Sequence, residues 1–122
     1  LLRVLIVEDE PLIAIDLQDI LEDAGHTVVG IAPAMQQAID LAAGAMPFDV
    51  AILDIDLAGC DDGIETAHRL RAEHGIDALF VSARIEEEAR ARELGWRPIG
   101  FIAKPFMETQ ILAALSRVEA RR

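Results

Sequence analysis

Five side chains in this sequence are of the kinds that handle metal ions and phosphate, and each follows an apolar run. Glu8 and Asp9 follow RVLIV, Asp54 follows FDVAIL, Ser82 follows ALFV, and Lys104 follows IGFIA. Carboxylates brought together repel one another, so a site holding three of them favours protonation or a bound cation. Hard oxygen ligands select Mg2+, which takes one or two carboxylates and completes its shell with water and phosphate oxygens. A carboxylate can itself be a nucleophile and form an aspartyl phosphate. An ammonium and a hydroxyl are donors of the sort that a transferring phosphoryl group needs around its oxygens. The glycine patterns that cradle nucleotides, GxxxxGK[ST] and GxGxxG, do not occur in the sequence.

These residues can meet only if the elements before them lie side by side. Strands are predicted over 3–7, 27–32, 48–53, 78–81 and 99–103. Helices are predicted over 12–24, with Pro11 in the first turn and Gly25 closing it, then 34–43, 64–74, about 85–94, and 107 to about 121. In the first helix, Ile13, Leu17, Ile20, Leu21 and Ala24 share one face. In the last, Ile111, Leu112, Leu115 and Val118 face inward. The first, third and fourth strands are nearly continuous apolar runs, which suits a parallel sheet covered on both faces. Five strands alternating with five helices imply right-handed crossovers and a doubly wound α/β sheet. In such sheets ligands bind beyond the carboxyl ends of the strands, where Glu8, Asp9, Asp54, Ser82 and Lys104 all lie. The second strand ends in Ala32 and Pro33, which carry no comparable group.

The bulk properties set limits. With 122 residues, 52% of them hydrophobic, the sequence suits one domain with one core, residues 1–122. The net charge of −11 opposes direct binding to nucleic acid. No apolar stretch is long enough to span a bilayer, and a lone cysteine, Cys60, fits a reducing cytoplasm. Nothing near Cys60 activates it, so it is read as inert. His26, His68 and His74 are read as surface or helix-face residues, and Trp96 as a half-buried loop anchor.

The acidic pair after the first strand, Asp54 after the third, Ser82 in ALFVSA and the closing GFIAKPF together resemble the response-regulator receiver domains of two-component signalling. The resemblance runs from Val4 to the last helix. It implies a flavodoxin-like (βα)5 fold with strand order 2-1-3-4-5. Asp54 would be the phospho-acceptor, taking its phosphoryl group from a histidine kinase or histidine phosphotransfer protein. Asp9 would bind Mg2+ directly, with Glu8 beside it and Asp56 giving a backbone carbonyl. Lys104 would pair with a phosphoryl oxygen across a cis Lys104–Pro105 bond, and Ser82 and Phe101 would be the switch pair. Arg84 and Asp56 occupy positions that in receivers tune phosphoryl lifetime. The sequence departs from the common pattern in Glu8, in Ser82 in place of threonine, and in a longer loop after Asp54 without its usual proline. Such a domain catalyses only its own phosphorylation and dephosphorylation and is not an enzyme in the ordinary sense.

Leu12 and Ile15 project from the first helix beside Asp16, Asp19 and Glu22, and their expected role is to dock a helix of the phospho-donor. The face formed by the fourth helix, fifth strand and fifth helix has mixed charge (Glu86 to Glu88, Arg90, Arg92, Arg117) that could support a homodimer. Two other readings use the same residues. Asp54-Ile55-Asp56 resembles the DxD nucleophile of haloacid-dehalogenase-type phosphatases, although there it follows the first strand. A phosphorylation-independent binding module on this fold would lack one of the acids or the lysine. Beginning at Leu1, the sequence fits either a segment of a longer regulator or hybrid kinase, or a stand-alone receiver.

Overall fold

The computed structural model describes residues 1–44, 47–57, 62–84, 86–93 and 95–121. Its elements in chain order are β1 (Arg3–Val7), α1 (Pro11–Asp23), β2 (Thr27–Ala32), α2 (Met35–Ala42), β3 (Val50–Leu53), α3 (Gly63–His74), β4 (Asp77–Ser82), α4 (Glu87–Arg92), β5 (Gly100–Ala103) and α5 (Glu108–Ala120). The strands form one parallel sheet in the order β2-β1-β3-β4-β5, as expected for a receiver-type doubly wound sheet.

Alternate residues of each strand feed the two sides of the sheet, because successive side chains point to opposite faces. Val4, Ile6, Val50, Ile52, Leu79 and Val81 pack against α1 and α5. Leu5, Val7, Ala51, Leu53, Ala78 and Phe80 pack against α2, α3 and α4. The central strands are therefore apolar throughout, whereas β2, at the sheet edge, is only partly buried.

Several expectations are corrected. The third strand begins at Val50, not at residue 48. Asp49 is turned aside to hold Arg3, accepting from its backbone N–H at 2.7 Å and donating its own N–H to the Arg3 carbonyl at 2.9 Å. On α1, Ala14 is buried, whereas Ala24, assigned to the inward face, lies past the last turn as the C-cap and is exposed. On α5, Ala114 is buried and Leu112 only partly so. His26, expected on the surface or a helix face, is buried, with Nδ1 accepting from the Leu2 backbone N–H at 3.1 Å. His68 and His74 are exposed, and Trp96 is half-buried with Arg71 over its ring. The fourth helix is six residues long, since i→i−3 bonds tighten both ends (Glu87 N–H to Arg84, Glu93 N–H to Arg90). Its expected ends, Ile85 and Leu94, lie outside the described residues. Cys60 and most of the long loop after Asp54 also lie outside them.

α3 is the best delimited helix. The Asp62 carboxylate accepts from the Ile64 N–H at 2.9 Å as its N-cap, and Gly75 ends it in the left-handed region at φ 68. Gly63 begins the helix pressed against the backbone of Asp54 and Ile55. A Cβ there would come within 2.7 Å of the Ile55 Cα. Gly63→Ala is therefore expected to cost about 2–3 kcal/mol by forcing backbone apart. Gly75→Ala, strained only in φ, should cost about 1 kcal/mol. Denaturant unfolding of the two variants checks the order.

Candidate functional site

The β1–β3 register sets Val7 opposite Leu53, so the next residues, Glu8 and Asp54, emerge together at the carboxyl edge of the sheet. The Asp54 N–H donates to the Val7 carbonyl and the Glu8 N–H to the Ala32 carbonyl, each at 2.9 Å. These bonds extend the strand ladders one step past their ends and fix the bases of both acids. Lys104 arrives from β5, whose end is tied to β4 by the Lys104 N–H donating to the Ser82 carbonyl at 2.8 Å. The Lys104–Pro105 peptide is cis.

Lys104 Nζ donates to Glu8 Oε1 at 2.8 Å and to Asp54 Oδ2 at 3.1 Å. The two carboxylates are 3% and 6% exposed. Two buried acids thus share one ammonium, an arrangement that leaves negative charge uncompensated. Burial pushes the Glu8 carboxyl up to about 7, against the lowering effect of Lys104. Burial also disfavours the Lys104 ammonium, but its bonds to Glu8 and Asp54 outweigh this and hold it above its ordinary value. Asp9 completes the acidic pocket. One carboxylate oxygen from each of Glu8, Asp9 and Asp54 lies within 4.8 Å of the others. A set of three hard oxygen donors with one net positive partner fits a small divalent cation of the Mg2+ type.

Of the remaining residues singled out in the sequence, Ser82 is fully buried at the end of β4 and its Oγ accepts from the Arg84 N–H at 3.1 Å. Asp56 donates its N–H to Asp54 Oδ1 at 3.3 Å, and its carboxylate pairs with Arg84 at 3.0 Å. Phe101 stands half-buried on β5, lining a cleft with Phe80, Ala91, Trp96 and Pro98. Leu12 and Ile15 are 82% and 52% exposed on α1, as their helical phase predicted. Glu87 and Arg90 are expected only as part of a mixed-charge face, and Asp62 is not singled out in the sequence. Glu87 is buried and holds both Arg84 and Arg90, and Arg90 also pairs with Asp62. Three successive glutamates offer no sequence signal of which one turns inward. The charged face formed by α4, β5 and α5 meets much of its charge internally, since Glu88 also pairs with Arg92.

The family described as response regulator receiver domain matches residues 4–116. The phyllosphere-induced regulator PhyR of Methylorubrum extorquens is 32% identical over 115 residues, covering 94% of this chain and 42% of that protein. The transcriptional regulatory protein PdtaR of Mycobacterium tuberculosis is 31% identical, and the match covers 98% of this chain and 57% of PdtaR. The chain thus spans about half the length of these curated relatives. Among solved structures, the signal receiver domain of a modulated diguanylate cyclase from Desulfovibrio desulfuricans superposes with a TM-score of 0.87 at 32% identity. That match covers 99% of this chain and 95% of the other. No helix among the described residues is long and apolar enough to cross a membrane.

A carboxyl raised in the folded state keeps a proton that the unfolded chain has already lost. Between pH 4.5 and about 7, therefore, Glu8 makes folding less favourable as pH rises. Without divalent metal, stability is expected to fall on the order of 1–3 kcal/mol across this window relative to Glu8→Gln. Mg2+ should remove the difference by favouring the carboxylate. Denaturant midpoints measured across the window, with and without Mg2+, check this.

Proposed function

The chain belongs to the response regulator receiver family, and from that premise and the geometry of the acidic pocket we propose that Asp54 accepts a phosphoryl group. The observation that carries the reading is the convergence of Glu8, Asp9 and Asp54 with Lys104 bonded to two of them. The donor is a histidine kinase or a histidine phosphotransfer protein, and residues 1–122 act as one cytoplasmic receiver domain. An Asp54 carboxylate oxygen attacks phosphorus, and the P–N bond of the phosphohistidine breaks. Its electron pair returns to the imidazole, which keeps or takes a proton according to pH.

Each neighbour has a part in this step. Lys104 is drawn from its ion pairs toward a phosphoryl oxygen, where an ammonium stabilises the charge that develops. Glu8, Asp9 and the Asp56 carbonyl would hold Mg2+, which when bound supplies positive charge to the equatorial oxygens. Ser82 supplies a hydroxyl from the end of β4, and its movement, followed by Phe101, shifts the population between two states of the α4–β5–α5 face. Leu12 and Ile15 dock the donor's helix, since two exposed aliphatics beside the acidic edge offer apolar area that an ordinary solvated helix face does not need. A homodimer through α4, β5 and α5 is not required, because the ion pairs there are met within one copy.

This reading differs from a DxD-type phosphatase in stoichiometry. With acetyl phosphate and Mg2+, intact mass is expected to show one added phosphoryl group per chain, lost in Asp54→Asn and without metal. Continuous turnover of a generic phosphate ester would point to the phosphatase instead. Phosphorylation that persists in Lys104→Ala at the parent rate would remove Lys104 from the mechanism. For docking, Leu12→Asp is expected to slow transfer from the cognate phosphohistidine protein by about tenfold or more while leaving the acetyl phosphate reaction unchanged. Equal rates from the protein donor would dismiss that surface.

A further inference from the structure

Charged side chains form a ring that takes in Asp56 and Asp62, which flank residues 58–61. Arg84 holds Asp56 at 3.0 Å and Glu87 Oε1 at 2.8 Å, and Arg90 holds Glu87 Oε2 at 2.7 Å and pairs with Asp62. Asp56 and Asp62 are themselves joined by an antiparallel backbone bridge, so the circuit is complete. Both ends of the loop are thus tied, through one glutamate, to the first turn of α4.

We propose that this ring is a coupling strap that holds α4 to the loop after the acceptor and transmits displacement of one to the other. α4 has only six residues and no side-chain cap at its N-terminus, and helices so short have little stability of their own. Among the described residues of α4, Ala91 is the buried apolar one, and the buried Glu87 belongs to the ring. Exposed ion pairs taken singly contribute little. Glu87 is different, because it is 7% exposed and both its oxygens are occupied. Losing either arginine leaves a desolvated carboxylate with half its partners, so the pairs stand or fall together. Asp62 has a second role as the N-cap of α3, which anchors the ring to a helix that the core holds firmly. The strap is a property of the resting fold and does not depend on phosphorylation. Where Asp54 is phosphorylated, it gives movement beside the acceptor a direct path to α4.

Hydrogen exchange of the unphosphorylated chain tests the strap. Asp62→Asn keeps the capping oxygen for Ile64, since asparagine caps as well as aspartate, and removes the charge that Arg90 meets. Asp56→Asn removes the charge that Arg84 meets at the other end. Each is expected to speed exchange of the Glu87–Arg92 amides about two- to fivefold. The double variant should give less than the product of the two. In the parent, raising salt to about 0.5 M should speed exchange in α4 and leave α1 unchanged. Unchanged α4 rates in Asp62→Asn and at high salt would overturn the proposal, and so would a double variant equal to the product of the singles.

Discussion

The parallel pairing of β1 with β3 is the constraint on which the site depends. Val7 lies opposite Leu53, and one residue further the chain places Glu8 beside Asp54. Both strands are buried on both faces and cannot slip without exposing several large side chains. A one-residue shift would turn Glu8 into the core and carry Asp54 away from it. The two cores on either side of the sheet therefore do more than hold the fold together. They fix the separation of two carboxylates that would otherwise move apart.

That enforced closeness explains the rest of the site. Lys104, carried on the neighbouring edge by the β4–β5 pairing, bonds both acids but balances only one of them. Burial, with a smaller contribution from the Asp54 charge, pushes the Glu8 carboxyl up to about 7. A divalent cation held by these acids would supply positive charge to the pocket and free the lysine for an incoming anion. Rigid placement and clustered charge together give the pre-organisation that the proposed phosphoryl transfer needs.

Much of this was legible in the sequence, because strand ends are legible. RVLIV, FDVAIL and ALFV are apolar runs too short for helices, and in a parallel sheet whatever follows them must gather on one edge. Glu8, Asp54, Ser82 and Lys104 followed from that alone, as did the exposure of Leu12 and Ile15 from helical phase. Features that depend on one residue's exact surroundings did not follow. Gly63 lies just before the helix expected from residue 64, and only the approach of its backbone to Ile55 shows why a side chain cannot stand there. His26 lies between two elements, where pattern is silent, and its burial depends on the Leu2 N–H that it accepts. Glu87 is one of three adjacent glutamates, and the inward one is decided by Arg84 and Arg90 from opposite sides. Local periodicity reports which face an element buries. It does not report contacts made between loops far apart in the chain.

The loop after Asp54 and α4 belong together in this account, one bearing the chemistry at its base and the other the surface that would report it. The central claim is narrower: among several clustered acids, Asp54 is the one that takes the phosphoryl group. Borohydride reduction after exposure to acetyl phosphate and Mg2+, followed by peptide mass spectrometry, locates an acyl phosphate by converting the acceptor to homoserine. The account predicts that conversion at Asp54 alone. Conversion at Asp9 or Asp56, or a phosphoryl group found on Ser82 in its place, would contradict it.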